Sequence, residues 1–277
     1  MQKNIISLTL FGFLLFPLIS FGENTENLAI NENQSVAELL KNGAEFYHKK
    51  SFIEAEEVFK VAASKEPKNY VALYNWGLSL FQLDKKPLAV AVLRKAHNLS
   101  PEQTQIEQAL EFTLSTMGFN PVSFNSDSGE YFRTKILQHL TLNSALGIWT
   151  LLLFLSGWFL LNYMGQRIRS IKNEKPLPQF PIAAGFFLAL WLLSSLVSVT
   201  KAIDINTTRA TIILEKAPIL AGPSQDQLTL FELSGGSEVI IQIQSKDWVQ
   251  IKAVNTGTDG MSGWISESSI MKTSVTN

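Results

Sequence analysis

The 277-residue sequence contains no cysteine. Disulfides, thiolate metal sites and cysteine nucleophiles are excluded, and the redox compartment is left open. Histidine is scarce as well. His48, His97 and His139 lie far apart without paired ligand spacing, so no histidine-based metal centre is expected. Charged residues make up only 17% of the chain and sum to a formal −1. Lysines scattered on such a background do not form a nucleic-acid surface. There is no G-x-S-x-G elbow and no glycine-rich phosphate loop. The "SGGS" at 234–237 precedes an alternating run, whereas a phosphate loop would precede a helix. Glu54, Glu56 and Glu57 share one helical pattern and read as a solvated face. Neither an enzyme nor a cofactor is expected.

Charge is missing altogether from three apolar stretches. The first follows Lys3 and ends in small residues, with Ser20 and Gly22 at the −3 and −1 positions before Glu23. This is the pattern of a secretory signal peptide over residues 1–22, the alternative being an uncleaved anchor. The other two are "ALGIWTLLLFLSGWFLLNYM" and "PIAAGFFLALWLLSSLVSVT". Each is about the 20 residues of helix that cross a hydrocarbon core. They predict transmembrane helices over 143–164 and 181–200. Neither run carries an ionisable residue, which speaks against a channel or proton relay.

Between them, residues 165–180 hold Arg167, Arg169, Lys172 and Lys175 against Glu174. The outer flanks offer Arg133 and Lys135 on one side and Lys201 and Arg209 on the other. The positive-inside rule therefore places the basic loop in the cytoplasm and both flanks outside it. Residues 23–130 carry ten basic against fifteen acidic residues, and 205–277 five against seven, which agrees.

The segment after the leader repeats. Gly43 recurs at Gly77, Ala55 at Ala89, Phe59 at Leu93, Ala62 at Ala96 and Pro67 at Pro101, all at a spacing of 34. Small residues let two helices approach closely, and the proline closes each unit. In "LLKNGAEFYHKKSFIEAEEVFKVAASKEP" and "LYNWGLSLFQLDKKPLAVAVLRKAHNLSP" the pattern resembles the tetratricopeptide (TPR) repeat, over 36–69 and 70–103. A third helix, "EQTQIEQALEFTLSTMG", starts in phase but has Glu111 where glycine belongs. It reads as a capping helix that closes a TPR domain over 35–118. The resemblance implies a ligand groove made by the first helix of each repeat. Carried over by position, that groove shows Leu40, Ala44, Tyr47, His48, Val71, Tyr74, Leu78, Phe81 and Gln82. Leu40, Tyr47, His48, Tyr74, Leu78 and Phe81 are the partner-binding candidates. The other reading of each is packing between repeats. Family members that clamp a C-terminal carboxylate place lysine and asparagine at the fifth and ninth positions. Leu40, Ala44, Tyr74 and Leu78 stand there, so that mode is not expected.

Beyond the second span the period changes to two. "ATIILEKAPILAGPS", "LTLFELSGGSEVIIQIQ", "DWVQIKAVN" and "MSGWISESSI" are short alternating runs between turn residues. "SGGS" can supply the positive φ of a tight turn. Their order resembles the bacterial SH3-like (SH3b) domain, here over 205–277, with "NTGTDGMS" lengthening one hairpin. Trp248 and Trp264 are the candidate surface of this domain: either one of them lies on a peptide-binding surface, or both plug the barrel or shield its mouth, and the balance for indoles in a small barrel favours the structural role.

The expected fold is thus multidomain. It comprises a signal peptide, a linker over 23–34, all-α TPR hairpins, a linker over 119–142, two transmembrane helices around a basic loop, and a C-terminal all-β SH3-like barrel. This order is similar to the BatE type of the Bacteroides aerotolerance (Bat) operon family. The resemblance implies a non-enzymatic scaffold in the bacterial inner membrane with both soluble domains in the periplasm. It implies as partners membrane proteins with von Willebrand A domains, besides the lipid bilayer. Peptidoglycan is the alternative ligand of the SH3b domain. Alkaline phosphatase fusions test the topology: those at Ser126 and Asn277 should be active and one at Asn173 inactive, the reverse pattern inverting the orientation.

Overall fold

A computed structural model describes residues 34–119, 132–137, 140–254 and 260–274. The expected signal peptide, most of the two expected linkers, His139 and most of "NTGTDGMS" lie outside the described residues.

The 34-residue period is carried by the backbone. Helices α1 (Val36–His48) and α2 (Phe52–Lys65) form one hairpin, and α3 (Tyr70–Gln82) and α4 (Lys86–Leu99) the next. Each boundary recurs 34 positions on. α1 starts with a full capping box, in which the Ser35 hydroxyl accepts from Glu38 N–H while the Glu38 carboxylate accepts from Ser35 N–H. At the equivalent position Asn69 caps α3. Lys50 and Asp84 take the same left-handed turn, at φ 62° and 58°.

The repeated glycines sit where one helix meets its neighbour. A Cβ at Gly43 would stand 2.6 Å from the Phe59 ring, and one at Gly77 would stand 2.6 Å from Leu93 Cγ. Ala55, Ala89, Phe59, Leu93, Ala62 and Ala96 are all fully buried. Helix α5 (Thr104–Thr116) continues the period, and Gly118 repeats the left-handed turn at φ 81°. The third helix thus keeps the phase further than its side chains indicate. Glu111 is tolerated in the glycine position because its side chain is exposed.

A π-helical turn, Arg133–Leu137, precedes α6 (Leu142–Lys172) and α7 (Ile182–Asn206). Both are long and apolar enough to cross a membrane, and only 11% of each apolar window is buried. Core helices of a soluble protein would be covered. Small residues mark the contact between α6 and α7, among them Ser156, Ala184 and Ser198. Trp149 Nε1 donates to Ser195 Oγ at 2.7 Å, and the Phe159 and Phe187 rings stack at 5.5 Å. The expected loop at 165–180 is shorter than its composition suggests, because α6 runs on to Lys172. Nothing breaks the helix before Asn173, Glu174 (φ 53°) and the prolines at 176 and 178. Arg169 and Lys172 in its last turn suit its negative end. At the other end α7 continues to Asn206, past the expected limit at 200.

Seven strands follow: β1 (Arg209–Ile212), β2 (Lys216–Leu220), β3 (Thr229–Ser234), β4 (Glu238–Ser245), β5 (Trp248–Ala253), β6 (Ser262–Ser266) and β7 (Ile270–Lys272). They form one antiparallel sheet in the order β3-β2-β6-β5-β4-β1-β7. Ile212, Ile219, Val239, Val249, Ile251 and Ile265 fill its core. The expected barrel is corrected in one respect: the sheet is not closed, and β3 and β7 are its edges. The β1–β7 side packs instead on α4.

Gly43→Leu and Gly77→Leu should each destabilise the helical repeats by about 1–3 kcal/mol or more, because the added side chain must displace Phe59 or Leu93. Denaturation of the full chain followed by circular dichroism measures the loss. Unchanged midpoints for both would refute the 34-residue register.

Candidate partner-binding face and the buried arginine junction

The first helix of each unit contributes to one aromatic face. Tyr47, Tyr74, Leu40, Leu78 and Phe81 are half-buried there, and His48 is exposed. Gln82 Nε2 donates to the Tyr47 hydroxyl at 3.4 Å, which ties α3 to α1. The Tyr47 ring meets Phe52 edge-on at 5.3 Å. Burial, and then the neighbouring Tyr47, push the Tyr74 hydroxyl above its ordinary pKa. The Tyr74 phenol therefore stays a protonated donor at neutral pH. Phe81 packs against Phe112 at 5.5 Å between ring centres, and Phe112 remains 59% exposed.

Phe112 was not among the expected residues. The signal was present: Ala44, Leu78 and Phe112 stand 34 apart, so the face continues onto α5. With two phenol hydroxyls and an aromatic row, the face can hold an apolar segment and anchor it by a few hydrogen bonds. Among the described residues no group of three or more potential metal ligands occurs.

One expectation about a single residue is corrected, and one of the alternatives for the tryptophans is narrowed. Glu56 does not belong to a purely solvated face. It accepts from Trp76 Nε1 at 2.9 Å and lies 3.7 Å from Lys85 Nζ, which links α2 to α3 and α4. Trp248 and Trp264 do not fill the sheet core. Val249, Ile251 and Ile265 point inward, so by the period of two both indoles point away from it and are half-buried. Trp264 lies opposite Gln250, two pairs along from Trp248 opposite Ser266. The two share one outer face.

The junction of α4 with the sheet was not foreseen at all. Positions Glu56, Glu57 and Lys60 of α2 correspond to Val90, Ala91 and Arg94 of α4, and all three of the latter are buried. No residue of α4 is exposed, so the helix is covered on both sides, and it lies between the other helices and the sheet. The "SGGS" turn is part of this contact. Gly236 has φ 84°, and a Cβ on Gly235 would stand 2.7 Å from Pro87 Cγ.

Arg94 crosses the junction. It donates to Thr211 Oγ1 and, at 3.1 Å, to the Gly236 carbonyl. Asn98 Nδ2 donates to the Thr273 carbonyl at 2.9 Å. Behind Arg94 lies Glu238, with Arg133 Nη2 at 3.4 Å and Arg209 Nη1 at 3.8 Å. Burial alone would push the Glu238 carboxyl up. Arg133, Arg94 and Arg209 outweigh it and hold the group below its ordinary value. Burial lowers the Arg94 pKa, with Glu238 opposing.

No family model, no curated protein and no solved structure matches the chain.

Glu238 makes the junction acid-sensitive. Its folded pKa lies below the unfolded one, so its contribution is fully present above the ordinary value of 4.5 and is lost as pH falls through the depressed value. Thermal melts of the full chain should lose stability on acidification in that range. Glu238→Gln should already cost about 3–5 kcal/mol at neutral pH, since buried arginines lose their counter-charge, and should flatten the acid dependence. A parent-like melt of this variant at pH 7 would contradict the role given to the junction.

Proposed function

We propose that the chain is a non-enzymatic scaffold or adaptor anchored in the bacterial inner membrane by α6 and α7. It binds protein partners on the periplasmic side. One observation carries the reading: Tyr47, Tyr74, Phe81 and Phe112 form a partly exposed aromatic row on α1, α3 and α5, part of a helical stack that α4 ties to the sheet. Aromatic anchors on a rigid support supply most of the energy at protein interfaces. The Bat-type resemblance points to membrane proteins with von Willebrand A domains as the partners. Confinement of both proteins to one membrane would raise the effective concentration of a modest contact. In this reading the helical units are TPR repeats, and the sheet is an SH3b domain playing the lesser part.

A second reading rests on the outward-facing Trp248 and Trp264. Adjacent indoles on one sheet face suit the apolar faces of sugar rings, which favours peptidoglycan as a ligand of the β domain.

Crosslinking in intact membranes, followed by purification in detergent, tests the first reading. Combining Tyr74→Ala with Phe81→Ala should weaken retention of the crosslinked partner by about 2 kcal/mol per anchor, roughly 30-fold for each and up to about 900-fold together, with the melt unchanged. Trp248→Ala with Trp264→Ala should leave the partner bound. If the first double variant folds and keeps its partner, the aromatic face is not the binding site. Loss of sacculus binding by the tryptophan variant alone would favour the peptidoglycan reading.

A further inference from the structure

A cavity of about 100 Å³ opens beside the arginine junction, at the last turns of α7. Three cationic side chains from three separate segments line it: Arg133 of the π-helical turn, Lys201 of α7 and Arg209 at the start of β1. Asp204 is the acid in the same wall, and Thr207 and Ser274 add hydroxyls. The cations are held in place. The side chains of Arg133, Lys201 and Arg209 are only 11%, 11% and 9% exposed. Lys201 Nζ donates to the Leu137 carbonyl at 2.7 Å and lies 3.9 Å from Asp204. Arg133 and Arg209 are braced from behind by Glu238.

We propose that this cavity binds the phosphate group of an anionic ligand, a phospholipid headgroup or a free phosphate. Guanidinium forks match phosphate oxygens in pairs, and lysine adds a point charge. The depth of the cavity also fits. The uncharged run of α7 ends at Thr200, and the helix continues for six residues to Asn206. At 1.5 Å per residue that is about 9 Å beyond the apolar run, the level of the headgroups outside a ~30 Å core. This placement rests on the membrane reading above, whereas the cationic cavity does not. Asp204 and the carbonyl end of α7 oppose an anion, which gives the site a residue whose removal should improve binding.

The test uses the full chain in nanodiscs of phosphatidylcholine, with and without phosphatidylglycerol, and reads the thermal midpoint. A parallel arm titrates inorganic phosphate into phosphatidylcholine nanodiscs against sodium chloride of equal ionic strength. Stabilisation by phosphatidylglycerol alone identifies the headgroup as the source. Stabilisation by phosphate identifies the free anion. In either arm Lys201→Gln should weaken the half-saturation point about tenfold, the loss of one charge-assisted contact. Asp204→Asn should tighten it. Opposite signs from two neighbouring substitutions separate binding from structural damage, since damage would move both the same way. The proposal is overturned if neither phosphatidylglycerol nor phosphate stabilises the protein. It is equally overturned if chloride matches phosphate, or if both variants respond like the parent. Failure of the topology alone would show in the phosphatase fusions and would leave the phosphate arm intact.

Discussion

One buried side chain organises the described residues. Arg94 is 6% exposed and reaches from the fourth helix to the first strand and the glycine turn. A guanidinium in such a place is tolerated only with its hydrogen bonds made and a counter-charge near. Thr211 and the Gly236 carbonyl supply the bonds, and Glu238 supplies the charge. Arg133 and Arg209 then bring in the segments that lead into and out of the apolar hairpin. Helical units, hairpin and sheet meet at this one cluster. The helical stack that bears the aromatic face is thereby tied to the sheet through its fourth helix.

The repeat, the apolar spans and the strand-rich C-terminus were legible because each writes a period into the sequence. Gly43 and Gly77 declare the helix contacts, and the alternation around Val249 and Ile251 declares the sheet. The helix ends beside the basic loop were less legible, since a run of arginines and lysines is compatible with both loop and helix. Only the breakers at Asn173 and Glu174 decide. Closure of the sheet could not be read at all, because it depends on what packs against the β1–β7 side.

At the candidate site, Tyr47, Tyr74 and Phe81 followed from the register, and Phe112 would have followed had the register been carried one unit further. The arginine junction could have been suspected by comparing the two second helices position by position. Glu57 becoming Ala91, and Lys60 becoming a buried Arg94, signals a helix that has changed neighbours. What no local pattern contains is the identity of that neighbour. Thr211 lies 117 positions from Arg94, and loops between them leave no periodic trace.

That separation also sets an order of events in biogenesis. The fourth helix is complete early in synthesis, yet the strands that cover it come after both apolar helices. Until the last strand is made, Val90, Ala91 and Arg94 have no cover, and the helical units carry an unsatisfied apolar flank. A chain that stops in the hairpin leaves this flank open to water, and the strands cover it.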